Sequence, residues 1–213
     1  MSLSNEPERP AILAGWSHPT GRWPRRVALV SLGVTHQDYV SEWLNHDPAD
    51  TVYDRDETWT LNRGALVFRH DLAFVMDYLD GERRKWPRYG AMLAKHDKPV
   101  ITSQAEGWPE HVHLYPQDAV RRYFGSRHDY YHNSVPWIVA YAIWIGVREL
   151  TLWGCDYTHE RSNGREDDRA NAEYWVALAR AAGMAVLIPE TSTLCNAGRG
   201  AYHYGYPEPL PPL

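Results

Sequence analysis

The sequence predicts a three-layer α/β domain built on a mostly parallel sheet. Short apolar segments alternate along the chain with longer segments in which apolar residues have helical spacing. The first short segment, residues 26–32, is an apolar run followed by Gly33, which is typical of a strand buried on both faces. The longest apolar run, residues 135–147, suits a buried helix. Strands separated by helices need right-handed crossovers and therefore pair in parallel, so we expect a Rossmann-like domain.

The remaining elements follow in chain order. The pattern predicts strands over residues 26–32, 58–61, 72–76, 99–103, 111–115, 149–153 and 185–188. It predicts helices over residues 37–44, 82–95, 117–124, 134–147 and 167–182, the second of them broken or restarted at Pro87. We expect residues 1–25 to form an irregular arm. We expect the proline-rich residues 193–213 to form an extended tail, because proline fixes φ and removes a backbone donor. A single domain over residues 26–192 lies between them.

Charge and cysteine content restrict the class of protein. The formal net charge is −5, from 27 acidic and 22 basic residues, so there is no overall basic field and nucleic acid is not an expected partner. The basic and aromatic stretch 121–132 is interpreted as an amphipathic helix with a solvated face. The two cysteines form neither a disulfide framework nor a zinc site, and the 11 histidines show no metal signature, so no metal is predicted.

We also expect a cytoplasmic protein without a membrane span. The first residues lack the basic and then apolar pattern of a signal peptide. The longest apolar run is shorter than the roughly 20 residues that a membrane helix needs. The sequence makes no prediction about the number of subunits.

A ligand site in such a fold lies beyond the carboxyl ends of the strands, where the strand order reverses. Gly33 follows the first strand and permits close backbone approach, and Thr35 is placed to cap the next helix. Ser134 is placed as the N-cap of the apolar helix, with Pro136 in its first turn. Two helix N-termini that meet at one edge would suit the phosphates of a nucleotide, so Gly33, Thr35 and Ser134 are predicted binding residues.

Polar side chains at three other strand ends complete the predicted site. Asn62 and Asp77 follow the second and third strands, and Asp156 follows the strand over residues 149–153. Each could read a base, ribose or sugar through hydrogen bonds, although Asn62 also fits an ordinary turn and Asp77 an ordinary solvated carboxylate.

A polar loop after Asp156 is predicted to close over the site. His159 is the candidate base, because imidazole titrates near neutral pH, and Asp156 is the second catalytic candidate. Arg161 and Arg165 could neutralise the charge of a departing phosphate.

Residues 133–156 resemble the core of the bacterial CMP-sialic-acid-dependent sialyltransferases of the single-domain Rossmann-like type. In that family a serine opens an apolar helix, which leads through a strand into Gly-x-Asp. Ser134, Gly154 and Asp156 match these positions, and Asn62 matches a nucleotide-site asparagine of the family. The resemblance extends in order over residues 26–192. It implies a nucleotide or nucleotide-sugar ligand and transfer of a sugar from a CMP- or UDP-linked donor, with no other cofactor.

The chain departs from the family at several positions. The first loop lacks the family's first glycine and its proline, Tyr131 stands where the family has an arginine, and Val135 replaces a glycine. The family's catalytic histidine lies late in its lid, where this chain has residues 165–168, whereas His159 lies earlier.

Two further resemblances keep other functions open. The skeleton is similar to that of archaeal-type hydroxymethylpterin diphosphokinases, which implies a phosphotransferase with Mg²⁺ held by carboxylates such as Asp77 and Asp156. It is also similar to small phage-encoded proteins, whose pattern is matched by residues 59–62 and 71–77. The third alternative is a non-catalytic module that binds a nucleotide.

Overall fold

The computed structural model describes residues 16–45, 55–125, 130–157 and 165–196. Within them, the strands are β1 (Arg26–Val30), β2 (Glu57–Leu61), β3 (Leu72–Val75), β4 (Val100–Thr102), β5 (Val112–Leu114), β6 (Glu149–Trp153) and β7 (Ala185–Leu187). The α-helices are α1 (His36–Asn45), α2 (Leu79–Lys85), α3 (Pro87–Ala94), α4 (Gln117–Tyr123), α5 (Ser134–Ile145) and α6 (Arg165–Ala181).

The seven described strands form one sheet in the order β5-β4-β3-β2-β1-β6-β7, and every neighbouring pair is parallel. The chain moves outward from β1 to β5 and then returns through α5 to the other side of β1. The strand order therefore reverses between β1 and β6. This confirms the predicted α/β class and places the reversal point at the carboxyl ends of these two strands.

Helix α5 is the centre of the larger core layer. It is apolar on all sides, as a helix enclosed by protein should be, and Ile138, Tyr141 and Trp144 are almost completely buried. It packs with α4 and α6 on the face of the sheet formed by residues such as Leu29 and Phe74. Because α5 runs opposite to the strands, its N-terminus lies at their carboxyl edge.

The opposite face of the sheet is covered by two separate groups. Helices α2 and α3 cover β3 to β5 through Leu79, Tyr89 and Leu93, and α1 covers β1 and β6 through Tyr39. The break between α2 and α3 falls at Trp86, which adopts φ −134° and ψ 76° because the following Pro87 disfavours the helical conformation. The predicted break at this proline is confirmed.

The described part of the N-terminal arm has no regular structure, yet it contributes to the core. Trp16 packs edge-on against Tyr141 and Trp144, and His18 is only 3% exposed. Burial, with minor help from neighbouring cations, lowers the pKa of His18 to about 4. His18 contacts Thr20, whose hydroxyl donates to the Glu57 carboxylate, and burial raises the pKa of Glu57. These contacts attach the arm to the amino end of β2.

Two local features differ from the sequence prediction. A 3₁₀ helix, Asn62–Leu66, follows β2, where the sequence indicated only a turn. Its Gly64 packs so closely on Thr60 that a Cβ atom would lie 2.3 Å from the Thr60 Oγ1 atom. Helix α2 begins three residues earlier than predicted because Leu79 anchors it on the sheet.

Among the described helices, none has the length and apolar character needed to cross a membrane.

Candidate functional site

The turns after β1 and β6 are in direct backbone contact. The Gly33 N–H donates to the Gly154 carbonyl over 2.8 Å, and a Cβ atom at residue 33 would lie 2.3 Å from that oxygen. Gly154 has φ +68°, and its own added Cβ would lie 2.2 Å from the Ser31 carbonyl. Only glycine fits at either position, because any side chain would overlap backbone atoms of the facing turn. We call these contacting segments the interlocked turns.

Asp156 fixes the interlocked turns in place. The residue is 1% exposed, and its carboxylate accepts hydrogen bonds from the Thr35 N–H, the Thr35 hydroxyl and the Ser192 hydroxyl, each over 2.7 Å. The Thr35 Oγ1 atom also accepts from the Gly154 N–H over 2.7 Å. Both carboxylate oxygens are therefore used to join the segments that follow β1, β6 and β7.

These contacts show how Gly33, Thr35 and Asp156 are used within the fold, and the ligand-binding and catalytic roles of the three residues stay predictions. The N–H groups of Gly33 and Thr35, which were expected to hold phosphate, donate to protein oxygens instead. The Thr35 side chain bonds Asp156 and Gly154 rather than capping α1. The Asp156 carboxylate is directed at protein donors and joins these loops, and its catalytic role stays a prediction. The reversal point is filled because two glycines allow the turns to meet.

The N-cap of α5 is Asn133, which corrects the prediction of Ser134. The Asn133 Oδ1 atom accepts from the Val135 N–H over 3.1 Å and from the Tyr157 hydroxyl over 2.8 Å, and its amide nitrogen donates to the Asp168 carbonyl over 2.8 Å. Tyr157 directly follows Asp156, so this bond joins the start of α5 to the interlocked turns. The structure thus brings the two turns predicted from the sequence to one edge of the sheet.

An open cleft lies at the same edge of the sheet as the interlocked turns, beyond the carboxyl ends of β3, β4 and β5. Its volume is about 510 Å³, within the usual range for small-molecule sites. The strand ends contribute Met76, Ser103, Leu114 and Tyr115. The helices and the segment before α4 contribute Pro116, Gln117, Asp118, Ala119, Arg122 and Trp137.

One wall of the cleft is a fixed aromatic surface. The rings of Tyr131 and Trp137 stack with centroids 3.9 Å apart, and Tyr115 meets Trp137 edge-on. The Tyr115 hydroxyl donates to the Trp137 carbonyl over 2.8 Å. Burial raises the pKa values of the Tyr115 and Tyr131 phenols far above neutrality, so both remain protonated. Such a wall offers a rigid surface on which a planar ring or the apolar face of a sugar can pack.

Polar groups occupy the other sides of the cleft. Asp118 and Arg122 lie one turn apart on α4, and both are exposed. Ser103 and Gln117 are also exposed at the cleft. Ser134 lies one turn before Trp137 on α5, so the two side chains share a face of that helix. The cleft therefore combines an aromatic wall with a guanidinium group, and Ser134, which is only 9% exposed, lies one helical turn from the Trp137 of that wall.

Two predicted residues lie at neighbouring strand ends on the same edge. Asn62 has φ 51°, and its Oδ1 atom is shielded from water without a hydrogen-bond partner among the described residues. Asp77 is exposed after β3, and desolvation of its carboxyl, with the nearby charge of Glu82, raises its pKa. Asn62 has unused hydrogen-bonding capacity, and Asp77 is open to solvent.

The predicted loop residues are only partly placed. His159 and Arg161 lie outside the described residues. Arg165 is the first residue of α6, and its side chain lies outside the described part. The roles assigned to these three residues stay predictions.

The sequence interpretation missed several cleft residues. Trp137 was assigned to the apolar core, and Arg122 to a solvated helix face. Gln117 follows the end of β5 and could have been found by the strand-end rule that identified Asn62 and Asp77. Ser103 follows β4 and carries the same signal.

Comparisons with known proteins give structural likeness only. No protein-family model and no characterised protein sequence matches the chain. The fold is similar to that of the sialyltransferase CstII from Campylobacter jejuni, solved with the substrate analogue cytidine-5'-monophosphate, at 17% identity and a TM-score of 0.48, over 81% of this chain and 83% of that chain. A second CstII structure, solved with CMP-3FNeuAc, matches at 15% identity and a TM-score of 0.48, over 81% and 84% of the two chains. At this identity the likeness concerns the course of the backbone.

Proposed function

We propose that the chain is a glycosyltransferase that binds a nucleotide sugar at the carboxyl edge of β2 to β5. The observation that carries the proposal is the cleft beyond β3 to β5, whose wall includes Trp137, one turn after Ser134 on the same face of α5. This arrangement offers donors for phosphate next to a surface for a ring, and a nucleotide contains both parts.

The phosphate would be held at the first turn of α5. The first N–H groups of a helix lack partners within it and carry partial positive charge. The Asn133 side chain uses the Val135 N–H, and Pro136 has none. The N–H group of Ser134, together with the Ser134 hydroxyl, is what this turn can offer to an anion.

The other parts of the donor would contact neighbouring groups. Trp137 would pack against the base or the sugar ring, and the exposed Arg122 would pair with a phosphate or carboxylate. Asn62 and Asp77 would hydrogen-bond the base or ribose at the ends of β2 and β3. The cleft volume of about 510 Å³ is sufficient for these parts together.

Transfer of the sugar requires that the leaving phosphate be stabilised as its bond to the sugar breaks. The α5 N-terminus would supply part of this, and Arg161 and Arg165 are proposed to add positive charge. His159 is proposed to take the proton of the acceptor hydroxyl. Tyr157 is the last described residue before this loop, and its hydroxyl donates to Asn133 at the start of α5.

The position of Asp156 weighs against the phosphotransferase alternative. That mechanism assigned Asp77 and Asp156 to Mg²⁺, yet both Asp156 oxygens accept hydrogen bonds from Thr35 and Ser192. Coordination of a metal by Asp156 would require these buried bonds to break.

The test is isothermal titration calorimetry with CMP, UDP, GDP and ATP and their sugar conjugates. We expect saturable heat with at least one of them, and about tenfold weaker binding after Ser134→Ala, which removes one hydrogen bond to a charged group. Ser17→Ala, at an exposed residue, is the matched control and should bind like the parent chain. Absence of heat with every nucleotide at millimolar concentration would overturn the proposal. If the chain binds a nucleotide sugar but releases free nucleotide from none of the conjugates, the result favours the non-catalytic nucleotide-binding module over a transferase.

A further inference from the structure

Helices α2 and α3 present a cationic and apolar surface on an otherwise acidic chain. We call it the α2–α3 patch and define it by Arg84, Lys85, Trp86, Arg88, Met92 and Lys95. Trp86 is 45% exposed and Met92 is 50% exposed. On α3 and at its C-cap, Arg88, Met92 and Lys95 recur at helical spacing on the outer side, whereas Tyr89 and Leu93 face the sheet. Two exposed apolar side chains and four exposed cations thus occur on this pair of helices.

The cations of the patch form no close ion pair with their acidic neighbours, although the charge of Lys85 acts on Asp77 and partly offsets the rise in the pKa of that carboxyl. Asp80 pairs with Arg83 over 3.2 Å, and Glu82 lies 3.9 Å from Arg63. In the part of the chain that the structure describes, no carboxylate lies within 4.0 Å of Arg84, Lys85, Arg88 or Lys95. The patch therefore has four positive charges to offer, although the whole chain has a net charge of −5.

The aromatic rings of this face are already in contact with arginines of the chain. The Arg63 guanidinium lies 4.5 Å from the centre of the Trp86 ring. The Arg84 guanidinium lies 5.6 Å from the centre of the Tyr78 ring. A nucleobase that stacked on these ring faces would have to displace the arginines. A phosphate layer would instead meet the N–H groups of the same arginines without disturbing the ring contacts. This favours a phosphate surface over a stacked single strand.

We propose that the α2–α3 patch docks the protein onto an anionic phospholipid bilayer. Trp86 and Met92 enter the headgroup region, where the amphipathic indole is favoured, and the four cations contact lipid phosphates. The occupant is identified by charge complementarity, since exposed apolar side chains within a cluster of cations match a negatively charged surface above an apolar interior. The proposal stands independently of the nucleotide site.

The experiment is co-sedimentation of the full chain with phosphatidylcholine vesicles, prepared with and without phosphatidylglycerol, at low and high salt. We expect binding only to the vesicles that contain phosphatidylglycerol, and release at high salt. The double variant Lys85→Glu/Arg88→Glu should partition at least about 25-fold more weakly, because each cation near such a surface contributes roughly fivefold. The single variant Trp86→Ala should also bind the phosphatidylglycerol vesicles more weakly than the parent chain at intermediate salt.

The matched control is Arg69→Glu/Arg148→Glu, which reverses two exposed cations outside the patch. Circular dichroism spectra and melting curves of all variants should match those of the parent chain. Three outcomes would overturn the proposal: no sedimentation of the parent chain with phosphatidylglycerol vesicles, equal loss of binding in the control, or tighter binding to single-stranded oligothymidylate than to the vesicles at the same salt.

Discussion

The carboxyl edge of the sheet contains two neighbouring regions that use their polar groups in opposite ways. In the interlocked turns, the polar groups of Gly33, Thr35, Gly154 and Asp156 bond one another. In the cleft beyond β3 to β5, the polar side chains face solvent. Both regions satisfy the rule that ligands bind beyond strand ends, but only the second leaves its groups available. The rule identifies the edge, and the packing of the loops decides which part of it is open.

The difference has a physical origin in side-chain size. Glycines on both sides of the β1–β6 junction let two backbones meet, so the junction closes on itself. The cleft has a wall of stacked Tyr131 and Trp137, which Tyr115 supports from the side through its hydrogen bond to the Trp137 carbonyl. The interlocked turns should therefore control stability, and the cleft should control binding.

Asp156→Ala should have the largest effect on stability. It would leave the buried Thr35 N–H and the Thr35 and Ser192 hydroxyls without their acceptor, and each buried unpaired donor costs about 1–3 kcal/mol. We expect the free energy of unfolding to fall by about 3–5 kcal/mol in urea titrations. Ser192→Ala removes one of these donors and should cost about 1 kcal/mol. A loss below about 1 kcal/mol for Asp156→Ala would show that the turns do not depend on this carboxylate.

Gly154→Ala tests the backbone contact itself. The new Cβ would lie 2.2 Å from the Ser31 carbonyl, in a residue with φ +68°. We expect a loss of about 3 kcal/mol, from backbone strain and overlap together. Gly21→Ala is the matched control, because Gly21 has φ +74° with nothing within 4 Å of an added Cβ. It should lose only about 1 kcal/mol, and equal melting temperatures for the two variants would contradict the role given to the contact.

Asn133→Ala tests the link between the two regions. The substitution removes the cap of α5 and the bonds to Tyr157 and Asp168. We expect a loss of about 1–2 kcal/mol in the free energy of unfolding, the usual cost of a lost N-cap. Asn133→Ser keeps a capping oxygen but is too short to repeat all three bonds, so it should recover only part of the loss. Full recovery with serine would show that the cap matters and the link does not.

Much of the fold could be predicted from the sequence, but the site only in part. Apolar runs and helical spacing identified the strands and helices because they report burial, which is a property of each segment. The strand ends identified the edge of the sheet at which the cleft opens and at which Asn62 and Asp77 lie. The use of the Thr35 and Asp156 side chains could not be predicted, because it depends on a contact across 121 residues of chain. The position of Trp137 in the cleft could not be predicted for a related reason, because the sequence of an apolar helix does not indicate which of its rings borders a cleft.

Arg122→Ala should have the smallest effect on stability and a clear effect on binding. Arg122 is exposed in the cleft, and substitutions at such positions usually change stability by less than about 0.5 kcal/mol. If its guanidinium pairs with a phosphate, its removal should weaken nucleotide binding by roughly 10-fold or more, because hydrogen bonds to charged groups contribute about 1.5–3 kcal/mol.

The matched control is Arg148→Ala, at an exposed residue next to the amino end of β6. It removes the same charge at the opposite edge of the sheet and should leave both the nucleotide affinity and the free energy of unfolding unchanged. Calorimetric titration and urea unfolding of both variants measure the two quantities separately. Equal affinities for the two variants would remove Arg122 from the binding site, and a large loss of stability in Arg122→Ala would mean that the cleft, like the interlocked turns, uses its polar groups to hold the fold together.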